Sequence, residues 1–502
     1  MKLSELLAQI DYSCLQGNMD KNIVDLVYDS RKAIPDTAFV CMVGTVSDGH
    51  SYIKHAVAGG CNTLLVEKDI DELDTETAGI LRANKEITVV RTKDSRITLS
   101  YMAQALYGYP AEKMTTIAIT GTKGKTTTTF MIRTILEECG HKTGIIGTTG
   151  VYIEDRRIEI HNTTPESYDI QMYLAEMVKA GCDSCVMEVS SQALKMNRTA
   201  GIRFDYSIFT NLSPDHIGEG EHADYAEYVY CKSLLFRQSR HGIFNVDDKE
   251  APVMMKAGTG IDIHTYGFRP EADLCAGDID YIVRGSFIGI GFETRGMMNG
   301  RFEVSTPGRF SAYNAMAAIL VTVLMGADYK YIRDALTHTF VRGRVESVKI
   351  SDRFSLLIDY AHNAVSMESI LTTMKEYQPK RIVSLFGCGG NRSKLRRYEM
   401  GEISGTYADL SIITADNSRF ENVMDIIEDI KVGIGKTDGN YVVIPDRREA
   451  IKYSITHAED GDIILLLGKG HEDYQEIEGI RHPFDERVII ADILKEIQWT
   501  EQ

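Results

Sequence analysis

The stretch Ala118–Phe130, AITGTKGKTTTTF, holds residue types that can grip a phosphate. Gly121 and Gly124 would let backbone N–H groups face an anion, and a helix starting there adds positive potential. Lys125 can bridge terminal phosphates, and Thr126 or Thr127 can offer a hydroxyl to Mg²⁺. The spacing is not the usual G-x-x-x-x-G-K-[ST], because Ile119 stands where the first glycine should be. A glycine turn beside a solvated lysine would read the same way in isolation. The β-branched strand before it and the helix after it favour nucleotide binding.

Two further strand ends carry chemistry. MEVSS puts Glu188 at one, with Ser190 and Ser191 following; TNLSPDHIGEGEHADY puts Asp215 and His216 at another. A carboxylate and an imidazole near a phosphate loop suit a Mg²⁺ held between protein and phosphates. Glu188 lies between Met187 and Val189, is partly desolvated, and needs a partner. His216 alone would serve equally as a cap or a surface histidine. Glu219, Glu221, His222 and Asp224 can be read as a metal cluster, but a solvated loop is favoured. Cys182 and Cys185 form a C-x-x-C without a second pair at zinc spacing, and they run into apolar CVMEV. They read as small buried residues entering a strand.

The elements that must position these residues follow from pattern and length. A chain of 502 residues exceeds one ordinary core, and three domains are expected. The first ~110 residues mix short strands, TAFVCMVG and CNTLLVEKD, with a helix, SYIKHAVAGG, that ends at glycine. LYGYPAEKM reads as a linker. MTTIAIT, SCVMEVSS, FDYSIFTNLS and HGIFNVDD are apolar runs ending in polar loops, the pattern of a mostly parallel α/β sheet. YIVRGSFIGIGFETRG and NGRFEVSTPG look antiparallel. Beyond VRGRVESVKI, five apolar strands stop at FSLLIDYAHN, RIVSLFGCGGNR, LSIITADNSR, YVVIPDRREA and DIILLLGKGHE. In a parallel sheet their loops would converge on one crevice. Asp446 reads as a helix N-cap, and NRSKLRR as a solvated helix face.

A net charge of −17 argues against a broad nucleic-acid surface. No apolar run reaches membrane-spanning length, and the first residues lack a signal-peptide core. The nine scattered cysteines suit reduced thiols. A cytoplasmic, monomeric protein with small-molecule partners is expected.

Taken together, GTKGKTTT, NTTPES, MEVSSQAL, TNLSPDHIG, DYAHN, FGCGGNRSK, TADNSR and GKGHE resemble the Mur ligase family, in family order and across nearly the whole chain. The central motifs are shared with folylpolyglutamate synthetases. FGCGGNR, DNSR and GKGHE point to the branch that adds the third residue of the peptidoglycan stem. The resemblance implies an α/β enzyme of three domains. Residues 1–110 would bind the UDP end of the nucleotide-sugar. A central ATP-binding domain with a mostly parallel sheet would span 111–343, and a Rossmann-like amino-acid domain 344–502. It implies ATP and Mg²⁺, phosphorylation of the terminal carboxylate of UDP-MurNAc-L-Ala-D-Glu, and attack by the incoming amine.

Carried over by residue, ATP would meet Gly121, Thr122, Lys123, Gly124, Lys125, Thr126, Thr127, Asn314, Arg344 and Asp359. The last three could instead be a helix-surface amide, a hinge ion pair and a strand-end cap. Mg²⁺ would meet Thr126, Glu188 and His216. Lys232 in YCKSLLF matches the lysine that carries a carbamate and bridges to a second metal; on residue type alone it reads as a snorkelling side chain. Catalysis would rest on Lys125, Glu188, His216 and Lys232. The muramoyl-dipeptide would meet Ser30, Thr163, Thr164, Ser190 and Arg198. Thr45 departs from the histidine of many relatives.

The incoming amino acid would meet Arg392, Asp416, Asn417, Arg419, Gly468 and Glu472. Relatives that add meso-diaminopimelate usually read D-N-P-R where this chain has Asp416, Asn417, Ser418 and Arg419. An arginine could clamp the extra carboxylate of that amino acid and would repel the bare ammonium of lysine. Glu472 could accept the distal amine. Pairing of Arg419 with Glu421 is the bland alternative. Meso-diaminopimelate is favoured, with L-lysine or another diamino acid as alternatives. A folylpolyglutamate-type ligase is disfavoured by the first domain and NTTPE.

Overall fold

The structure, a computed structural model, describes residues 1–44, 47–215, 217–218, 221–284 and 287–499. Thr45, His216 and Glu219, singled out above, lie outside the described residues. The chain packs as two compact units, Met1–Asp273 with Leu320–Met325, and Leu274–Ile319 with Gly326–Gln502. Among the described residues, no helix is long and apolar enough to cross a membrane.

The first unit begins with a five-stranded sheet of β1 (Tyr12–Gln16), β2 (Asp25–Val27), β3 (Thr37–Val40), β4 (Thr63–Val66) and β5 (Thr88–Thr92), in the order β1-β5-β4-β3-β2. Only β1 runs antiparallel to its neighbour. Strand periodicity sends Ala38 and Val40 into one core, with Leu99 and Met102 of helix Ser95–Leu106. Phe39 and Cys41 enter the other, with Ile53 and Ala56 of helix Ile53–Ala58. Both faces are covered, as parallel strands require.

The same unit contains β6 (Thr115–Thr120), β7 (Thr143–Gly147), β8 (Gly150–Ile153), β9 (Arg156–Ile158), β10 (Ser184–Glu188), β11 (Phe204–Phe209), β12 (Ser239–Asn245) and β13 (Asp262–Gly267). They lie in the order β13-β12-β11-β6-β10-β7-β8-β9. All pair in parallel except at the β7-β8-β9 edge. The strand order reverses around β6, so the crevice outside its carboxyl end is where a ligand belongs. Tyrosines tie the two sheets together: Tyr28 donates to Asp169 at 2.7 Å and Tyr168 to Asp25 at 2.7 Å.

The second unit opens with an antiparallel meander of β14 (Leu274–Arg284), β15 (Phe287–Gly296) and β16 (Gly300–Val304). Then come β17 (Glu346–Ser347), β18 (Ser355–Asp359), β19 (Arg381–Phe386), β20 (Leu410–Ile413), β21 (Tyr441–Val443) and β22 (Asp462–Leu467), in the order β17-β18-β22-β19-β20-β21. The five strands read as apolar runs are mutually parallel, and their carboxyl-end loops share one edge. A hairpin, β23 (Tyr474–Ile477) and β24 (Ile480–Pro483), follows β22. Tyr377 binds the meander to this sheet, donating to Gly289 O at 2.9 Å and accepting from Gly308 N at 3.0 Å.

Candidate active site

In the first unit β6 delivers Gly121, whose φ of +147° and packing leave no room for a side chain: a Cβ would collide with Thr210 Oγ1. The turn is held from β11. Thr122 N donates to Asn211 O at 2.9 Å and Lys123 N to Asn211 Oδ1 at 3.0 Å, while Thr210 Oγ1 donates to Lys123 O at 2.8 Å. Gly124, at φ +87°, starts helix Lys125–Glu138, whose first intrahelical bond runs from Thr128 N to Gly124 O. The N–H groups before Thr128 have no partner within that helix, the usual condition for anion binding. Lys125 Nζ folds back onto Gly121 O at 2.9 Å and Thr122 O at 3.2 Å.

Glu188 ends β10 and is buried. Its Oε2 accepts from Thr126 Oγ1 at 3.0 Å and Thr148 Oγ1 at 3.0 Å, and its Oε1 from Thr148 N at 3.1 Å. A Cβ at Gly147 would occupy the place of Glu188 Oε1. The NTTPES loop is fastened to the same strand end. Thr164, fully buried, donates to Glu188 O at 2.9 Å and accepts from Ser190 N at 3.0 Å. Thr163 Oγ1 lies 3.1 Å from Thr148 Oγ1. Arg198 pairs with Glu166 at 2.8 Å and donates to Thr164 O at 2.9 Å. Ser30 begins the turn Ser30–Lys32, capped by Asp29.

Lys232, on helix Tyr225–Ser233, is buried rather than snorkelling, and donates to Gly121 O at 2.9 Å. Burial, with Lys125 adding like charge, pushes its amine well below the usual value. The expected solvated loop holds only in part. His222 is buried, 2.9 Å from Ser191 Oγ, because helix Tyr225–Ser233 and its cap Asp224 fold it inward.

In the second unit, the loops after β18, β20 and β22 meet. Lys469, fully buried, reaches Asn417 Oδ1 at 3.0 Å, Glu472 Oε2 at 3.3 Å and Asp416 Oδ1 at 3.4 Å. Burial alone would raise Asp416, but Lys469 and Arg447 hold it below the ordinary carboxylate value. Gly468, at φ +108°, leaves space that Asp416 Oδ2 uses. Asn417 Nδ2 donates to Glu472 Oε2 at 2.9 Å.

Arg419 does not pair with Glu421, which meets Arg397 at 2.8 Å. Its Nε donates to Glu476 Oε2 at 3.2 Å and its Nη1 to Gly390 O at 2.8 Å. Its backbone joins β23, with φ at +51°. A Cβ at Gly389 would stand 3.7 Å from both Arg392 Cγ and Arg419 Nη1, so the two arginines flank one glycine. Asp359 is buried and accepts from Val345 N and Ala361 N at 2.8 Å each. Burial raises it, with Arg344 opposing. Arg344 lies 5.5 Å over the Tyr360 ring, and Asn314 is buried in helix Arg309–Leu324 rather than on its surface.

Comparison with known proteins decides the lineage. The Mur ligase middle domain pattern matches residues 119–322, and the "Mur ligase, glutamate ligase domain" pattern residues 343–470. A UDP-N-acetylmuramoyl-L-alanyl-D-glutamate–2,6-diaminopimelate ligase of Caldanaerobacter subterraneus subsp. tengcongensis is 40% identical over 99% of both chains. The chain belongs to the Mur ligase family. A ligase of the same name from Clostridium perfringens is 37% identical over 99% of this chain and 100% of its own. A solved structure of that name superposes with a TM-score of 0.74 at 26% identity, covering 100% of both chains. A Mycobacterium tuberculosis folylpolyglutamate synthase shares the fold at TM-score 0.56 and 16% identity, over 74% of this chain and 92% of its own.

Sequence reasoning passed over several residues of this Mur ligase. Thr148 signalled only through GTTG after a strand; its tie to Glu188 crosses from the turn after β7 to the end of β10. Lys469 was visible within GKGHE, but its burial was not. NRSKLRR is not wholly solvated, since Arg397 is buried between Glu421 and Asp429. The buried Arg447–Glu486 pair gave no local signal.

Proposed function

We propose that this Mur ligase joins meso-diaminopimelate to UDP-MurNAc-L-Ala-D-Glu at the expense of ATP. The γ-phosphate passes to the terminal carboxylate, giving an acyl phosphate and ADP. The amine attacks the acyl carbon, loses a proton, and the tetrahedral intermediate expels phosphate. The nucleophiles are the substrates, so this chain's residues work by positioning and charge. Lys125 and the N–H groups opening its helix neutralise the triphosphate as the substrate carboxylate approaches.

Thr126 and Glu188 offer hard oxygen donors that already meet at 3.0 Å, a set that fits Mg²⁺. We assign Mg²⁺ to them, with His216 and the Lys232 carbamate taken from family likeness. When bound there, Mg²⁺ would supply charge neutralisation between phosphates and carboxylate. Ser30, Thr163, Thr164, Ser190 and Arg198 are assigned to the muramoyl-dipeptide. The UDP end, ATP and the amino acid are assigned to residues 1–110, 111–343 and 344–502.

The observation that carries the choice of amino acid is Arg419. Two of its guanidinium nitrogens are fixed by Gly390 O and Glu476, beside Arg392. Such a preset cation suits an amino acid with a second carboxylate. The full-length relatives named for 2,6-diaminopimelate support the same reading. The test is phosphate release from ATP. It should require UDP-MurNAc-L-Ala-D-Glu and diaminopimelate together; release indifferent to either co-substrate would exclude a ligase.

A further inference from the structure

Glu188, Thr148 and Thr163 form a chain whose hydrogen-bond direction can be worked out. Thr126 Oγ1 and Thr148 Oγ1 both donate to Glu188 Oε2 at 3.0 Å, and Thr148 N donates to Oε1 at 3.1 Å. A threonine hydroxyl has one proton and two acceptor lone pairs. Thr148 has given its proton to Glu188, so in the 3.1 Å contact with Thr163 it must accept. Thr163 therefore spends its own proton inward. What its oxygen can still offer is a lone pair.

The neighbouring Thr164 is committed differently. It is fully buried, donates to Glu188 O and accepts from Ser190 N. Of this threonine pair, only the half-buried Thr163 has capacity left to read a ligand. Gly147 makes the arrangement possible, because a side chain there would displace Glu188 Oε1.

We infer that Thr148 is a positioning residue that sets the polarity of the muramoyl-dipeptide subsite: it fixes the Glu188 carboxylate and turns Thr163 into an acceptor for a substrate N–H donor. This rests on the proposed ligase reading and deepens it. The substrate's peptide amide supplies the required donor, whereas its carboxylates do not. The same hydroxyl thus links the dipeptide subsite to the proposed metal ligand, through contacts between the turn after β7, the end of β10 and the NTTPES loop.

The test is titration calorimetry of UDP-MurNAc-L-Ala-D-Glu into the full chain in metal-free buffer, without turnover. Thr163→Val should weaken binding by about fivefold, the usual worth of one hydrogen bond. Thr148→Val should weaken it by ~3-fold, and Thr148→Ser should restore it. The double variant T148V/T163V should bind no worse than T163V, since Thr148 acts through Thr163. A second readout is the Mg²⁺ concentration for half-maximal phosphate release, which should rise severalfold in T148V and return in T148S. Unchanged binding in T148V, or losses that add in the double variant, would overturn the inference. Wild-type chain that binds no muramoyl-dipeptide would overturn the ligase reading beneath it. T148V binding that fails together with a collapsed thermal transition, with T148S also weakened, would count against the polarity argument.

Discussion

The two candidate binding regions solve the same electrostatic problem with different materials. Around β6 and β10, one buried carboxylate, Glu188, is satisfied by neutral donors: two hydroxyls and a backbone N–H. Around β20 and β22, the buried carboxylate Asp416 is satisfied by charge, from Lys469 and Arg447. Neutral donors can release a carboxylate oxygen to an arriving cation at modest cost, which suits a place where Mg²⁺ and phosphates come and go. A buried ion network is costly to rearrange and fixes geometry, which suits a place that must recognise one amino acid. In the proposed reading, the first region would serve a step that any nucleotide-driven ligase shares, and the second would confer selectivity.

That contrast can be broken from either side. Lys125→Ala should cost the most, about 10³-fold in turnover by the scale of lost transition-state charge stabilisation, with the thermal transition little changed. A variant that kept wild-type turnover would remove the phosphate loop from the chemistry. Lys469→Met should instead act on folding, at about 3 kcal/mol, because Glu472 loses its cation and Asp416 keeps only Arg447. The pH dependence has a definite sign. With Lys469 present, the depressed Asp416 stabilises the fold above its unfolded pKa, and this is lost as pH falls through the folded value. Without Lys469, burial penalises ionised Asp416, so the deficit should be large at neutral pH and shrink once the carboxyl protonates. Denaturant unfolding of both chains at neutral and acidic pH reads this directly; a pH-independent deficit would assign the cost to packing.

Arg419→Ala should raise KM for diaminopimelate about 30-fold and leave that for L-lysine nearly unchanged; equal losses would end its role as a selectivity clamp. The smallest effect belongs to Thr164→Val. It breaks two hydrogen bonds of a buried hydroxyl and should lower stability by ~1–2 kcal/mol, measured by chemical denaturation.

What the sequence disclosed follows the same division. The strands of both sheets were legible because apolar β-branched runs ended in polar loops, and the turn at Gly121 and Gly124 leading into the Lys125 helix was legible because such a turn is local. The need of Glu188 for a partner could be stated, but not that Thr148 meets it. That residue lies in the turn after β7, and the pairing of β7 beside β10 brings it near. Arg397 looked like part of a basic helix face because its partners, Glu421 and Asp429, belong to distant elements. The pairing of Arg419 with Glu476 was hidden for the same reason: it needs the β23 hairpin to fold back beside the DNSR loop. Local pattern reveals where chemistry can sit, whereas the choice of partner depends on tertiary placement.

The most direct measurement is phosphate release with UDP-MurNAc-L-Ala-D-Glu and ATP fixed, titrating meso-diaminopimelate against L-lysine. Saturable turnover with meso-diaminopimelate is expected, with at least about 30-fold lower kcat/KM for L-lysine, the scale of one clamped carboxylate. Equal or better turnover with L-lysine would contradict the proposed choice of amino acid.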